Sequence, residues 1–163
     1  MFETPNILET IAEVAIAITG FTAIAAVFRR RQASWSSKER LHFLILIRTS
    51  IIVLFFSFVP WLLGQIEITP DMAWRASCGL FGVAQLADVS WYMRNAADTP
   101  TTKGQSILAM LGFANVGVQF LAAAGGIAQV QLVFVAGLIL LLYVSIHNFV
   151  LLLVVGMGEE STG

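Results

Sequence analysis

The sequence predicts an all-α, polytopic membrane protein with about five transmembrane helices. Three observations predict it. Of the 163 residues, 58% are hydrophobic and only 12% charged, and the mean hydropathy is +0.83. A soluble domain needs a polar surface that this composition does not supply. The apolar residues also fall into runs close to the roughly 20 residues that cross a hydrocarbon core. The predicted spans are 7–28, 41–63, 73–93, 106–123 and 131–155, with four spans as the alternative, in a single transmembrane domain over 1–163. No soluble domain is expected, because the longest connection, 29–40, is far shorter than a folded domain.

Each span has its own justification. The first follows Met1-Phe2-Glu3-Thr4-Pro5-Asn6, which is acidic where a signal peptide would be basic, so the run is expected to stay in the protein. The second follows a basic connection and closes near Trp61, and the third is bracketed by Trp74 and Trp91. Indole rings favour the membrane–water boundary, as does Trp35 ahead of the second span. The fourth and fifth arise from one apolar stretch, 107–155, whose helical length of about 74 Å is more than twice a bilayer crossing. A turn must interrupt it, and Gly125-Gly126, with Gln129 and Gln131 beyond, is the place whose composition suits one.

Basic residues set the expected orientation. Arg29, Arg30, Arg31, Lys38 and Arg40 lie between spans one and two, and Arg94 and Lys103 between three and four. Those connections are predicted to be cytoplasmic, with the N-terminus outside and the Glu159-Glu160-Ser161-Thr162-Gly163 tail inside, in a cell's inner (plasma) membrane. The net charge of -1 and the lack of a larger basic cluster argue against a nucleic-acid partner. Cys78 is the single cysteine, which excludes a disulfide framework. The sequence contains no His-x-x-x-His, His-Glu-x-x-His or Gly-x-Ser-x-Gly, so enzymatic activity is not expected. No internal repeat is evident, and five spans do not divide into two matching halves as inverted-repeat carriers do.

The first span carries the main functional signal. Glu9 and Glu13 sit one helical turn apart in an otherwise apolar run, and a carboxylate at membrane depth normally faces a protein interior or a water path. At 100° per residue they share a stripe with Ala17, Gly20, Ile24 and Val27. Copies of this helix around an axis would present a carboxylate ring, an apolar constriction and a basic end, which is a layout for cation conduction. Ala12, Ala15, Thr19, Ala23 and Ala26 form a neighbouring stripe of small residues suited to close helix packing. The expected function is a homo-oligomeric cation channel or cation-binding protein, with a non-conducting subunit of a larger membrane complex as the alternative and a small proton-coupled carrier third. No cofactor is expected beyond a bound cation such as calcium at Glu9 and Glu13, which favours oxygen ligands from several subunits.

The order of carboxylates, an apolar stretch containing Gly20-Phe21, and a basic cluster is similar to the layout of the pore helix of Orai-type calcium channels, with the chain direction reversed. The likeness covers the first span and is one of physical arrangement. It implies selection at the carboxylates and gating in the apolar section.

Deeper polar residues complete the reading. Arg48 in span two and Asp88 in span three fall at matching depth and are expected to form an ion pair. His147 is the intramembrane group expected to titrate near neutral pH, whether in a relay with Asp88 and Arg48 or simply hydrogen-bonded. His42 is expected at the interface, without a functional role. Asn115 and Gln119 lie one turn apart on span four, and Arg75 is a candidate partner for Glu9, Glu67 or Asp71.

Overall fold

A computed structural model describes residues 4–29, 36–96 and 103–159, and within them the secondary structure is entirely helical. The helices are α1 (Thr4–Arg29), α2 (Ser37–Gly64), α3 (Pro70–Ala96), α4 (Lys103–Ala123) and α5 (Val130–Glu159). Glu3, Arg30, Arg31, Trp35 and residues 160–163 lie outside the described residues. Each helix contains its predicted span and extends a few residues past it. Successive helices run antiparallel, so one end of the bundle collects the start of α2 and α4 with the end of α1, α3 and α5. This is the basic end of the bundle.

Four helices, α1, α2, α4 and α5, are long and apolar enough to cross a membrane. The chain is a helical membrane protein. α3 has the length, about 40 Å from 27 residues, but Asp71, Arg75, Gln85, Asp88, Arg94 and Asn95 lower its hydropathy. It packs against α2, α4 and α5, and its buried residues include Ser77, Gln85 and Asp88. The polar side chains within α3 are therefore turned inward, while Asp71, Arg94 and Asn95 near its ends are exposed.

Local chemistry fixes the helix ends. Ser36 caps α2: its hydroxyl accepts from Glu39 N at 3.3 Å, while the Glu39 carboxylate accepts from Ser36 N at 2.9 Å. This reciprocal capping box starts the helix four residues before its apolar run. α4 ends in a Schellman turn, with Gly126 N donating to Leu121 O at 2.9 Å and Gly125 N to Ala122 O at 3.1 Å. Gly125 has φ +85°, a left-handed conformation that glycine adopts without penalty, and the Arg75 side chain lies over it. Arg75 also donates to Asp71 at 2.6 Å.

The core divides the bundle into unlike halves. Away from the basic end, Leu8, Ile11 and Ala15 of α1 meet Val53, Phe56 and Val59 of α2, Phe81 of α3 and Phe134 and Leu138 of α5 in one apolar cluster. An aromatic series crosses it, with centroids 5.2 Å apart for Phe56–Phe81, 5.6 Å for Phe81–Phe134 and 5.8 Å for Trp74–Phe134. Nearer the basic end a smaller cluster of Leu41, Ile45 and Ala96 takes over, and buried polar side chains lie between the two.

Glycines let the helices approach. A Cβ at Gly112 would lie 3.1 Å from Val89 Cγ2, and one at Gly82 would lie 3.3 Å from Phe120. Of the glycines within the helices, the tightest is Gly137 on α5, where a Cβ would lie 2.7 Å from Phe81 Cε1 and also against the amides of Asn115 and Gln119. Small residues at such contacts let membrane helices gain van der Waals packing that larger side chains prevent. Gly137→Ala should lower stability by about 1–3 kcal/mol through overpacking, whereas Gly117→Ala, with open space around it, should cause no loss. Thermal melts of the two variants in detergent check the contrast, and an unchanged Gly137→Ala melt would contradict it.

Candidate functional site

Two regions concentrate the polar groups, and they differ in how the fold treats them. The first is the outer face of α1. Leu8, Ile11, Ala12, Ala15 and Thr22 are buried against the bundle, whereas Glu9, Glu13, Ala17, Gly20, Ile24 and Val27 are exposed. The carboxylate stripe thus points away from the protomer along its whole described length. Gly20 has no atom within 4 Å of a notional Cβ, so nothing inside the protomer requires glycine there. The small-residue stripe is divided: Ala12 and Ala15 pack inside, Thr19 is half-buried and Ala23 is exposed. Thr19 and Thr22 donate back to Ala15 O and Ile18 O at 2.8 and 2.7 Å, which satisfies both hydroxyls within the helix.

Among the described residues, no three His, Cys, Asp or Glu side chains gather into a metal-binding group. Glu9 and Glu13 alone supply too few oxygens to enclose a calcium ion, which takes six to eight. A cation held here would need oxygens from water or from other copies of the chain.

The second region is a column of buried and half-buried polar side chains, most of them in the half of the bundle nearer the basic end. His42 Nδ1 lies 2.8 Å from Asn148 Oδ1, and Asn148 Nδ2 donates to Val144 O at 2.8 Å. The second bond turns the amide oxygen toward the ring, so Nδ1 must carry the proton in this pair. His42 Nε2 then accepts from the Gln105 amide at 3.3 Å. Further into the bundle, Thr49 and Ser145 hydroxyls meet at 2.6 Å, joining α2 to α5 again. Arg48 Nε donates to Asp88 Oδ1 at 2.8 Å, and its guanidinium lies 4.2 Å from the centre of the Trp91 ring. Asn115 Nδ2 donates to Gln85 Oε1 at 2.8 Å, and Gln119 Nε2 donates to Val133 O at 3.0 Å. The column then meets Phe81 and Phe134, whose rings occupy the interior beyond it.

Beside this column lies a cleft lined by α2, α3, α4 and α5, with about 60 Å³ of room for water-sized groups. Thr49, Gln85, Asp88, Tyr92, Gln105 and Asn148 supply its polar lining. Most of the remaining wall is aliphatic.

The sequence-predicted residues fall unevenly on this geometry. Arg48 and Asp88 are brought together, and Arg75 is joined to Asp71. His147 is half-buried and stacks on Tyr143 at 6.3 Å, while the histidine inside the polar column is His42, only 1% exposed. The interfacial placement expected for His42 is therefore corrected. α2 begins at Ser37, so His42 lies more than a turn inside the helix, and Gln105 of α4 closes over it. Sequence reasoning also passed over Gln105, Thr49, Ser145 and Tyr92. The Ser36-x-x-Glu39 capping box was the available signal for His42.

The fold and these interior contacts define a helical membrane protein whose paired interior polar side chains lie mostly in one half. No protein-family model matches the chain, and neither a curated protein nor a solved structure matches it.

Arg48→Ala should destabilise the bundle by about 1–3 kcal/mol, because it leaves the enclosed Asp88 without its partner, and Asp88→Ala by less, because Arg48 is partly exposed. The exchanged pair Arg48→Asp/Asp88→Arg should recover part of that loss. A double-mutant cycle on detergent melts measures the coupling, and additive losses with no recovery would show that the contact carries no energy.

Proposed function

We propose that the chain is the protomer of a homo-oligomeric assembly in the plasma membrane that binds or conducts cations along the α1 face, with its basic end toward the cytoplasm. In this reading Glu9 and Glu13 form the cation site at the outer mouth. Ala17, Gly20, Ile24 and Val27 line an apolar section that closes by dewetting, as hydrophobic constrictions do in channels.

The outward exposure of Glu13 is the observation that carries the reading. α1 spans Thr4–Arg29, so Glu13 lies about 5 Å along the axis from the helix midpoint. An acidic side chain near the bilayer centre costs about 2.5–3.5 kcal/mol on insertion scales. The protomer provides no cover for this side chain, which is exposed. A shared axis lined by equivalent helices would remove it from lipid and would also bring together carboxylates from several copies. The interior of a single protomer is a poorer route, because its polar column meets the aromatic rings of Phe81 and Phe134.

A partner protein could cover the same stripe, which keeps the non-conducting subunit as the second reading. Flux into liposomes separates the two. Wild type should pass cations, and Glu9→Gln/Glu13→Gln should reduce flux at least about tenfold with oligomer size unchanged, since neutralising a selectivity ring removes its attraction for cations. Unchanged flux in the double variant would reject a pathway along this stripe. An intact wild-type oligomer that passes nothing under varied voltage, pH and calcium would favour the subunit reading.

A further inference from the structure

The interior cleft is built differently from the α1 face, and its unpartnered groups have a chemistry of their own. Gln85 is 1% exposed, and its Oε1 is taken by Asn115 while its Nε2 has no hydrogen-bond partner. The buried Tyr92 hydroxyl also has none. Both side chains line the cleft. A buried donor without a partner costs roughly 1–3 kcal/mol, so two at one cavity point to a group that accepts from them. Gln85, Asp88 and Tyr92 are spaced i, i+3 and i+7, which puts them along one face of α3 over about 10 Å of rise.

Charge and size narrow the occupant. Asp88 is ion-paired with Arg48, so the polar lining offers no uncompensated charge to attract an ion. About 60 Å³ of water-sized room corresponds to roughly four to six such groups, the size of a small head and not of a whole lipid. Leu108 and Ala109 of α4 and Leu140 and Val144 of α5 are half-buried parts of the aliphatic wall, which gives an apolar chain a surface between those helices.

We propose that this cleft binds the head of a neutral amphiphile with two oxygen acceptors, one accepting from Gln85 Nε2 and the other from the Tyr92 hydroxyl, and with its apolar chain leaving between α4 and α5. A membrane quinone, with carbonyls on opposite sides of one ring, has this chemistry, and so does the glycerol ester head of an acylglycerol. The assignment is independent of whether α1 conducts.

The test uses the full chain in phosphatidylcholine nanodiscs, titrated with a short-chain para-benzoquinone and read by quenching of tryptophan fluorescence, for which Trp91 adjoins Tyr92 in sequence. Saturable quenching is expected in wild type. Tyr92→Phe, which removes only the hydroxyl, should weaken it about five- to tenfold, the value of one hydrogen bond. Ala109→Phe should abolish saturation by filling the cleft, and the conservative Tyr92→Phe keeps the test decisive should the larger side chain impair folding. Displacement of the quinone by a monoacylglycerol, with none by dodecane, would assign the site to an acylglycerol, and resistance to displacement would assign it to a quinone. Non-saturating quenching, equal in wild type and Tyr92→Phe, would mean partition into lipid alone and would overturn the proposal.

Discussion

The contact between Arg48 and Asp88 is what allows α3 to lie among four apolar helices. α3 is the least apolar of the five, and its carboxylate would be untenable at depth without a cation aimed at it. Arg48 reaches it from α2 through a 2.8 Å hydrogen bond, with the indole of Trp91 against the guanidinium. Trp91 and Asp88 lie one turn apart on the same face of α3, so the arginine is held by two neighbouring side chains of one helix. Once α3 is docked in this way, Gln85 comes within reach of Asn115, Gly82 of α3 faces Phe120 of α4, and Gly112 of α4 faces Val89 of α3. The packing of α4 thus follows from the neutralisation of α3.

The same constraint accounts for the unequal halves of the bundle. With no water in the hydrocarbon region, polar side chains there must bond to one another or to backbone. Here many do so in pairs across helices, His42 with Asn148, Thr49 with Ser145 and Gln85 with Asn115, while Gln85 Nε2 and the Tyr92 hydroxyl stay unpartnered. The opposite half is filled by Phe56, Phe81 and Phe134, which need no such partners. Gly137 sits at the junction, where the missing side chain leaves room for both an amide and a phenyl ring. Polar network and aromatic cluster therefore share one boundary, and a change at either is felt by the other.

Much of the fold was legible in the sequence because length and hydropathy decide it. All five helices contain their predicted runs, and the diglycine turn follows from the need to break an apolar stretch too long for one crossing. The pairing of Arg48 with Asp88 could be read from depth alone, since two costly charges at one level have few other solutions. The histidines were not legible in the same way. His147 lies deeper in its apolar run than His42 does in its own, so hydropathy favoured the wrong one. Which histidine enters the interior depends on helix phase and on Gln105 arriving from α4, and neither is a property of the local sequence. The capping box at Ser36 and Glu39 carried the missing information, because it moves the start of α2 back and places His42 inside.

The carboxylates separate what folding settles from what it leaves open. Asp88 is enclosed, bonded and neutralised within one chain. Glu13 receives none of this, although it lies nearer the middle of its helix than Asp88 does in α3. A membrane helix that needed only to pack could have carried an apolar residue at position 13, as it does at Ile16, Ile24 and Val27 on the same exposed side. A charged side chain in that position gains nothing from the protomer and is unfavourable against lipid. Its setting is what the proposed use of the α1 face is meant to explain. The shared surface proposed for the α1 face would take that charge out of lipid, which no contact inside the protomer does.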